Sequence, residues 1–349
     1  MRIVLIALLA FAAGVLAMLT VGHYRTPELN ALAPAQAPAH ATSASPAGAA
    51  SAADAADDSD DDDNGLANWP SNGMTPEQVM YAQPQLLRQS LAGLKPRVSG
   101  KPNLYVIAFA GDGGEDVFRN EAEFSSRLFA RFGPTVHTLV LENNPAALSH
   151  RPLASWSNLE AALEGVSSMM KPDEDILLLY MTTHGDHDST LLVDMDPLPL
   201  DQIGPPDLAD IFKKHPFKWK VVVVNACYSG GFVPDLRGSG TLVLTAARED
   251  RSSFGCGSDS DITYFGKAWL ANALNGTPDF IVAFNQAREQ IAQWEQQDKL
   301  TPSEPQIDIG AGIAEQLAKW RHGAAEGASV PFAPAPSLPH VAAAGTDAP

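Results

Sequence analysis

Cysteine is one of the scarcest residues in this chain, which contains only Cys227 and Cys256 among its 349 residues. Two cysteines are too few for the network of several disulfides that stabilises small secreted scaffolds. A single disulfide between the two would be compatible with an oxidising compartment. Cys227, however, follows a predicted strand where a nucleophile would stand. We therefore interpret it as a free thiol and Cys256 as a small buried hydrophobic residue.

Positive charge is also in short supply. The chain has 23 Lys and Arg residues against 41 Asp and Glu residues, which gives a formal net charge of −18. Nucleic acids and anionic lipid surfaces are bound through cationic patches, so we expect neither as the main partner. Much of the acidic excess lies in residues 54–63, a run that is typical of a solvated spacer.

The two ends of the chain differ in composition from its middle. Residues 3–21 are almost wholly apolar and approach the ~20 residues that cross a bilayer. A poor cleavage site follows them, which favours a signal anchor over residues 1–25, inserted once in an inner membrane. The rest of the chain would then lie in the periplasm or another extracytoplasmic space, with secretion after signal cleavage as the alternative. Residues 26–73 and 323–349, rich in Ala and Pro, predict a disordered tether and a disordered tail around a folded domain over 74–322.

Within that domain, short apolar runs alternate with segments of helical periodicity. This alternation predicts an α/β fold, a three-layer αβα sandwich around a mainly parallel sheet. The predicted strands are 104–110, 136–141, 176–183, 221–224 and 240–246, and the predicted helices are 76–94 (interrupted by Pro84), 119–132, 157–170, 207–214, 263–275 and 279–297.

Two of the predicted strands end in residues that suit catalysis. His184 and Gly185 follow one strand, and Cys227 closely follows another. Open parallel sheets place their active sites at the carboxyl ends of the strands. A thiol can act there as a nucleophile, an imidazole can accept and return its proton, and N–H groups at a glycine-containing turn can hold an oxyanion. The pattern therefore predicts an acyl-transfer site.

Four segments in the same order resemble the legumain-like cysteine peptidases, family C13, which share a clan with the caspases. Asn225-Ala226-Cys227-Tyr228-Ser229-Gly230 is similar to the family's Glu-Ala-Cys-Glu-Ser-Gly, and Thr183-His184-Gly185 is similar to its Asp-His-Gly. Residues 118–123 and 251–256 resemble its Tyr-Arg-x-x-Ala-Asp and Glu-Ser-Ser-Tyr-Ala-Cys. The resemblance covers about residues 103–282.

The resemblance implies a caspase/legumain-like fold and an endopeptidase that cuts protein or peptide substrates through a thioester, after Asn or Asp and without a cofactor. It implies Cys227 as nucleophile, His184 as general acid and base, and the N–H groups of Gly185 and Cys227 as oxyanion hole. It also implies a substrate pocket lined by Arg119, Ser252 and Ser253. An arginine in such a pocket suits a side chain with an acceptor oxygen.

Several residues depart from the family pattern. Tyr228 and Lys267 stand where the family has a Glu and an Asp, so two acids that would receive an amide nitrogen are missing. We therefore expect strict Asn selectivity to be lost, with Asp or another residue preferred, and Tyr228 to line the substrate site. Thr183 and Val117 replace an Asp and an Asn near the catalytic histidine, which predicts lower catalytic efficiency.

Other functions remain open on the sequence. Peptide transfer would use the same thioester, with an amine in place of water. A non-catalytic member could bind peptides in the cell envelope. The loop of His184, Asp186, His187 and Asp188 is dense in metal-ligand types, but no second ligand cluster with recognised spacing accompanies it, so we expect no metal.

Two further alternatives concern single motifs. The small-x-Ser-x-Gly pattern at residues 227–231 is reminiscent of an α/β-hydrolase elbow, but that fold needs its histidine downstream, where only His322 and His340 lie. Arg119 could simply pair with Glu123 on the surface of its helix.

Overall fold

The computed structural model describes residues 69–70, 73–325 and 327–335. The predicted anchor and nearly all of the predicted tether lie outside these residues, as does the end of the predicted tail. No helix within the described ranges combines the length and the apolar character needed to cross a bilayer.

A six-stranded sheet with the order β2-β1-β3-β4-β5-β6 forms the centre of the domain. The pairs among the first five strands are parallel, and β6 joins the edge antiparallel to β5. The five predicted strands are confirmed, with ends that shift by no more than a few residues. The strands are β1 Leu104–Ala110, β2 Val136–Glu142, β3 Ile176–Thr182, β4 Lys220–Asn225, β5 Thr241–Thr245 and β6 Gln306–Ile309.

Helices connect the strands and cover both faces of the sheet. The helices are α1 Pro76–Ala92, α2 Asp116–Ala130, α3 Trp156–Met169, α4 Pro205–Lys214, α5 Val233–Leu236, α6 Leu274–Gly276, α7 Phe280–Asp298 and α8 Ile313–Gly323, with a 3₁₀ turn at Ser229–Phe232 and a π-helical segment at Gly266–Ala273. A capping box at Thr75 starts α1, which continues through Pro84 to Ala92. Pro84 thus lies inside the helix and does not end it.

A hydrophobic core lies on each face of the sheet, between the strands and a layer of helices, which gives the three layers predicted from the sequence. Alternate side chains of β1, such as Val106 and Ile107, face opposite sides of the sheet. Helices α2, α7, α8 and the π-helical segment pack on one side, and α1, α3, α4 and α5 pack on the other. Because both faces are covered, the central strands are continuous apolar runs, as in other parallel sheets.

The predicted tail is partly wrong. Helix α8 reaches Gly323, and residues 327–335 lie against the domain in place of being disordered. Phe332 packs edge-on against Phe124, and the backbone N–H of Ala335 donates to Asn120 Oδ1. Composition misled the prediction because a few apolar side chains in a Pro- and Ala-rich segment are enough to dock it. The sequence reading also missed β6, which is short and half-exposed.

The carboxylate of Glu121, on α2, is completely buried (0 % exposed) and joins four parts of the fold. Its Oε2 accepts hydrogen bonds from Tyr180 Oη (2.6 Å) and Thr182 Oγ1 (2.8 Å) on β3, and from Asn225 Nδ2 (2.7 Å) on β4. Its Oε1 accepts from the backbone N–H of Thr263 at 2.8 Å. A buried charge is tolerated only when it is hydrogen-bonded in this way.

Replacing Glu121 by alanine is expected to lower the free energy of unfolding by about 3–5 kcal/mol. Each buried donor left without an acceptor costs about 1–3 kcal/mol, and some of these donors can rotate or be hydrated. Chemical denaturation monitored by tryptophan fluorescence would measure the change. The control is Glu164→Ala, which removes an exposed carboxylate from α3. A Glu121→Ala variant as stable as this control would contradict the structural role of Glu121.

Candidate active site

Strand register brings the two predicted catalytic segments to the same level of the sheet. Thr182 and Asn225 pair as the last rung between β3 and β4. His184 and Cys227 follow that rung at equal distance along their chains. A Cβ on residue 185 would lie 2.2 Å from the carbonyl oxygen of Cys227, so only glycine allows the two backbones to approach. The structure thus places His184-Gly185 directly beside Cys227.

Both cysteines are free, and the thiol of Cys227 lies in a hydrogen-bonding environment. The backbone N–H of Ser253 donates to Cys227 Sγ at 3.2 Å, and Ser253 Oγ lies 3.7 Å from the sulfur. The pKa of the Cys227 thiol is lowered, chiefly by the hydrogen bond from the Cys256 thiol. Burial opposes this shift, and hydrogen bonds from Ser253 and Ser252 add to it. Cys227 is therefore the member of the pair that ionises first.

Cys256 packs against an apolar cluster that includes Val117 and Phe118, in line with its predicted role as a hydrophobic residue, although it is only half-buried. The hydrogen bond to Cys227 and burial both raise the pKa of the Cys256 thiol, so it keeps its proton. The sequence did not indicate this interaction with Cys227, because it joins two loops whose approach depends on the tertiary fold.

The imidazole of His184 is held by acidic side chains that the sequence reading did not assign. Its Nε2 lies 2.8 Å from Glu115 Oε2 and 3.5 Å from Asp112 Oδ2. The ring of Phe118 packs edge-on against it, with 5.0 Å between the ring centroids. Both acids belong to the turn after β1, the strand next to β3. The strand order, had it been known, would have indicated that this turn reaches His184.

Burial changes the ionisation of one of these acids. It raises the pKa of Asp112, although the N–H of Gly114 and the nearby His184 partly oppose the rise. Asp112 Oδ1 accepts from Gly114 N at 2.8 Å, which fixes the carboxylate in the turn. The turn that the sequence suggested only as a strand-to-helix connection therefore contributes directly to the site.

Val117 and Thr183, which match family residues near the catalytic histidine, have structural surroundings here. Val117 is buried among apolar residues of β1, α2 and β2. The hydroxyl of Thr183 donates to the carbonyl of Leu192 at 2.6 Å, which ties down the loop after His184. The contact to the imidazole comes instead from Glu115, two positions before Val117.

Tyr228 and Ser252 border an open cleft beside the thiol. Ser252 Oγ donates to Tyr228 Oη at 3.3 Å, and Tyr228 Oη lies 3.2 Å from His187 Nε2. Tyr228 has a left-handed backbone (φ 56°), which turns the chain sharply after Cys227. The cleft has a volume of about 510 Å³ and includes Phe254, Lys299 and Leu300 in its lining. Of the predicted substrate-contacting residues, Tyr228 and Ser252 thus share this cleft.

Arg119 is buried and does not lie on the surface. The residue is 6 % exposed, and its Nη1 is 3.6 Å from Asp116 Oδ1, a carboxylate on the same helix. The alternative of a carboxylate partner on this helix is thus met by Asp116, whereas Glu123 pairs with Arg151 at 2.7 Å. Arg119 is also one of the charges that act on buried Glu142. Its role in a substrate pocket stays a prediction.

Two positions at which the family pattern has an acid carry Lys267 and Asn225 here, and a different acid, Glu142, is buried at the end of β2. Lys267 is exposed, with its Nζ 5.0 Å from the centre of the Trp294 ring. Asn225 stands where the family has a Glu, and it donates to Glu121 on α2. Glu142, at the end of β2, is 2 % exposed, and its Oε2 has no hydrogen-bond partner in the described part of the chain.

Two of the potential metal ligands in the loop after β3 have other partners in the fold. Asp186 Oδ1 accepts from the N–H groups of Asp188 and Thr190, and His187 packs on Tyr228 with ring centroids 4.2 Å apart. Ligand atoms of Asp112, Glu115 and His184 do lie within 4.8 Å of one another and could hold a divalent ion. We assign no ion to them, because the His184–Glu115 hydrogen bond already accounts for their approach.

A thiol with a lowered pKa, an imidazole held by a carboxylate and a glycine that lets two backbones approach thus lie at the ends of the neighbouring strands β3 and β4. Residues 156–315 match the model of the Peptidase C13 family. The matched range includes His184, Cys227 and Ser253 but begins after Glu115 and Arg119. The match confirms that this part of the chain resembles the family predicted from the sequence.

Comparison with solved structures gives a weaker likeness. The crystal structure of caspase-1 from Spodoptera frugiperda matches with 14 % sequence identity and a TM-score of 0.43, over 62 % of this chain and 90 % of that chain. No curated protein matches the sequence. The fold class rests on the sheet and its two helical layers, as described above.

Glu142 should make the stability of the protein depend on pH. Burial, with a contribution from Glu123, raises the pKa of Glu142 to about 8. The folded state then binds this proton more tightly than the unfolded state, so the free energy of unfolding falls as pH rises from about 4.5 to about 8, by at most about 1.4 kcal/mol per pH unit.

Thermal unfolding of the wild type, Glu142→Gln and Glu164→Gln between pH 5 and pH 8.5 would measure this dependence. The wild type and Glu164→Gln, which changes an exposed carboxyl, should lose more stability than Glu142→Gln across that range. Parallel pH profiles for all three would show that Glu142 ionises as an ordinary carboxyl.

The two thiols should differ in reactivity. Iodoacetamide at about pH 6 should label Cys227 well before Cys256, because only thiolates react at a useful rate. In Cys256→Ala the donor to Cys227 is lost, so the pKa of Cys227 should rise and its labelling at this pH should slow several-fold. Mass spectrometry of the labelled peptides gives both rates, with exposed Ser258→Ala as control. Equal labelling of the two cysteines would contradict the assigned proton positions.

Proposed function

We propose that this protein is a cysteine-type endopeptidase that uses Cys227 and His184. The observation that supports this proposal best is the contact between the His184-Gly185 and Cys227 backbones at the carboxyl ends of β3 and β4. The match of residues 156–315 to the Peptidase C13 family model supports a protein or peptide as the substrate. The roles of Cys227, His184 and Gly185 in the reaction are part of this proposal.

In the first half of the reaction, the Cys227 thiolate attacks the scissile carbonyl carbon and the carbonyl oxygen becomes an oxyanion. The N–H groups of Gly185 and Cys227 stabilise that oxyanion. His184 Nδ1 accepts the proton of the Cys227 thiol as the thiolate forms, and it gives this proton to the leaving amine as the C–N bond breaks. The products of this half are the free amine and a thioester on Cys227.

In the second half, water attacks the thioester and His184 Nδ1 accepts a proton from it. Collapse of the second tetrahedral species releases a carboxylic acid and restores the thiolate. An amine that reached the thioester before water would give a new peptide bond instead. Hydrolysis and transfer therefore differ only in the acceptor.

The substrate side chain before the cut would lie among Arg119, Ser252 and Ser253. A positive guanidinium favours an acceptor oxygen. Lys267 provides no acid for an amide nitrogen, and Tyr228 occupies the other acidic position of the family. We therefore propose that Asp, or another acceptor side chain, is cut at least as well as Asn. Placement of the domain outside the cytoplasm on an N-terminal anchor stays a prediction.

Cleavage of a peptide library by the full chain tests the proposal. Wild type, Cys227→Ala, His184→Ala and the control Ser258→Ala would be incubated with the library, and cut sites identified by mass spectrometry. We expect the control to cut like the wild type and the two site variants to lose about 10²-fold or more of the rate. An added amine nucleophile would reveal transfer as a new product mass.

Two outcomes would contradict the proposal. Cleavage that survives in Cys227→Ala would exclude the assigned nucleophile. A wild type that forms no cut and no transfer product would favour a peptide-binding protein without catalysis. Cleavage after Asn that is at least about tenfold faster than after Asp would reject the specificity argument alone.

A further inference from the structure

We propose that Glu115 is the residue that positions His184, holding its imidazole in one orientation and one tautomer for the thiol chemistry. This inference rests on the proposed function, since a positioned imidazole matters only if His184 transfers protons. It assigns a task to a residue that lies outside the Peptidase C13 match, which begins at residue 156.

The hydrogen bond between the two side chains determines which ring nitrogen is available. Glu115 Oε2 lies 2.8 Å from His184 Nε2. An ionised carboxylate can only accept hydrogen bonds, and neutral imidazole carries one ring proton. Nε2 must therefore hold that proton and donate it to Glu115, which leaves Nδ1 with the free lone pair. Nδ1 is thus the nitrogen that exchanges protons with the thiol and the leaving amine.

Glu115 is itself well placed to act as a fixed acceptor. It occupies the N-cap position of α2 with an extended backbone (φ −133°, ψ 132°), so its main chain is part of the helix start. Asp112 Oδ2 lies 3.5 Å from the same nitrogen, which adds a second acidic group on that side of the ring. The ring of Phe118, on the first turn of α2, packs edge-on against the imidazole. The orientation of the His184 imidazole is thus set by one hydrogen bond and one aromatic contact, from residues three positions apart at the start of α2.

The carboxylate also acts on the other half of the site. Glu115 is one of the charges that raise the pKa of Cys256, whose thiol is hydrogen-bonded to Cys227. A single acid therefore lies within electrostatic reach of the imidazole and of the Cys256 thiol. A surface carboxylate with a chance contact to one exposed histidine would not combine these contacts.

The kinetic test compares variants that remove different parts of the interaction in the full chain. Glu115→Ala loses both the acceptor and the charge, whereas Glu115→Gln keeps an acceptor oxygen at the same distance. With a peptide found in the cleavage assay, kcat should fall about 10- to 100-fold in Glu115→Ala. The loss should be smaller than the roughly 10²- to 10⁴-fold contribution of a general acid or base, because His184 itself remains. KM should stay within about twofold, and Glu115→Gln should recover part of kcat. Glu164→Gln is the matched control and should behave as wild type.

A spectroscopic test is independent of any peptidase activity. Two-bond ¹⁵N–¹H correlation spectra report which ring nitrogen of each histidine carries the proton, and His184→Gln identifies the His184 signals by their loss. We expect the Nε2-protonated pattern for His184 in the wild type and in Glu164→Gln. In Glu115→Ala the signals should move towards a mixture of the two tautomers.

The two tests separate failure of this inference from failure of the proposed function. A wild-type protein that cuts nothing would reject the endopeptidase, while the spectra would still decide whether Glu115 holds the ring. An Nδ1-protonated His184 in the wild type, or spectra unchanged in Glu115→Ala, would overturn the inference. Wild-type kcat in Glu115→Ala would overturn it as well. A loss in kcat that Glu115→Gln does not reduce, with KM rising in parallel, would indicate a merely structural role.

Discussion

The buried carboxylate of Glu121 is the constraint on which the rest of the site depends. Its oxygens accept hydrogen bonds from β3, from β4 and from the backbone at Thr263, so one side chain of α2 joins all three. The helix cannot slide along the sheet without breaking these bonds in a region closed to water. The position of α2 in turn determines where Phe118 and Glu115 meet His184.

With this frame in place, the two halves of the site are prepared by different elements. The loop around Ser253 and Cys256 acts on the thiol, and the turn from Asp112 to Glu115 acts on the imidazole. Gly185 allows the two halves to touch, because any side chain there would collide with the Cys227 carbonyl. Different segments therefore contact the thiol and the imidazole, and strand register places these two segments side by side. In the proposed mechanism, such an arrangement fixes both groups before a substrate binds.

Prediction from the sequence succeeded where the signal was local. The five parallel strands are apolar runs bounded by turns, and the candidate residues His184 and Cys227 closely follow β3 and β4. It failed where a contact joins segments far apart in the chain. Glu115 is 69 residues from His184, and Glu121 is 104 residues from Asn225. The docking of residues 327–335 was missed for a related reason, since average composition does not reveal a few well-placed apolar side chains.

The sequence by itself determined the fold class and singled out the candidate thiol, imidazole and glycine, because apolar periodicity and chemical type are properties of single segments. Only the tertiary structure decided which acid contacts His184, that the loop of Ser253 and Cys256 lies beside Cys227, and that Arg119 is buried. Those outcomes depend on strand order and on burial. Strand order brings the turn after β1 next to β3, and burial makes each unpaired charge or donor costly enough to select one partner.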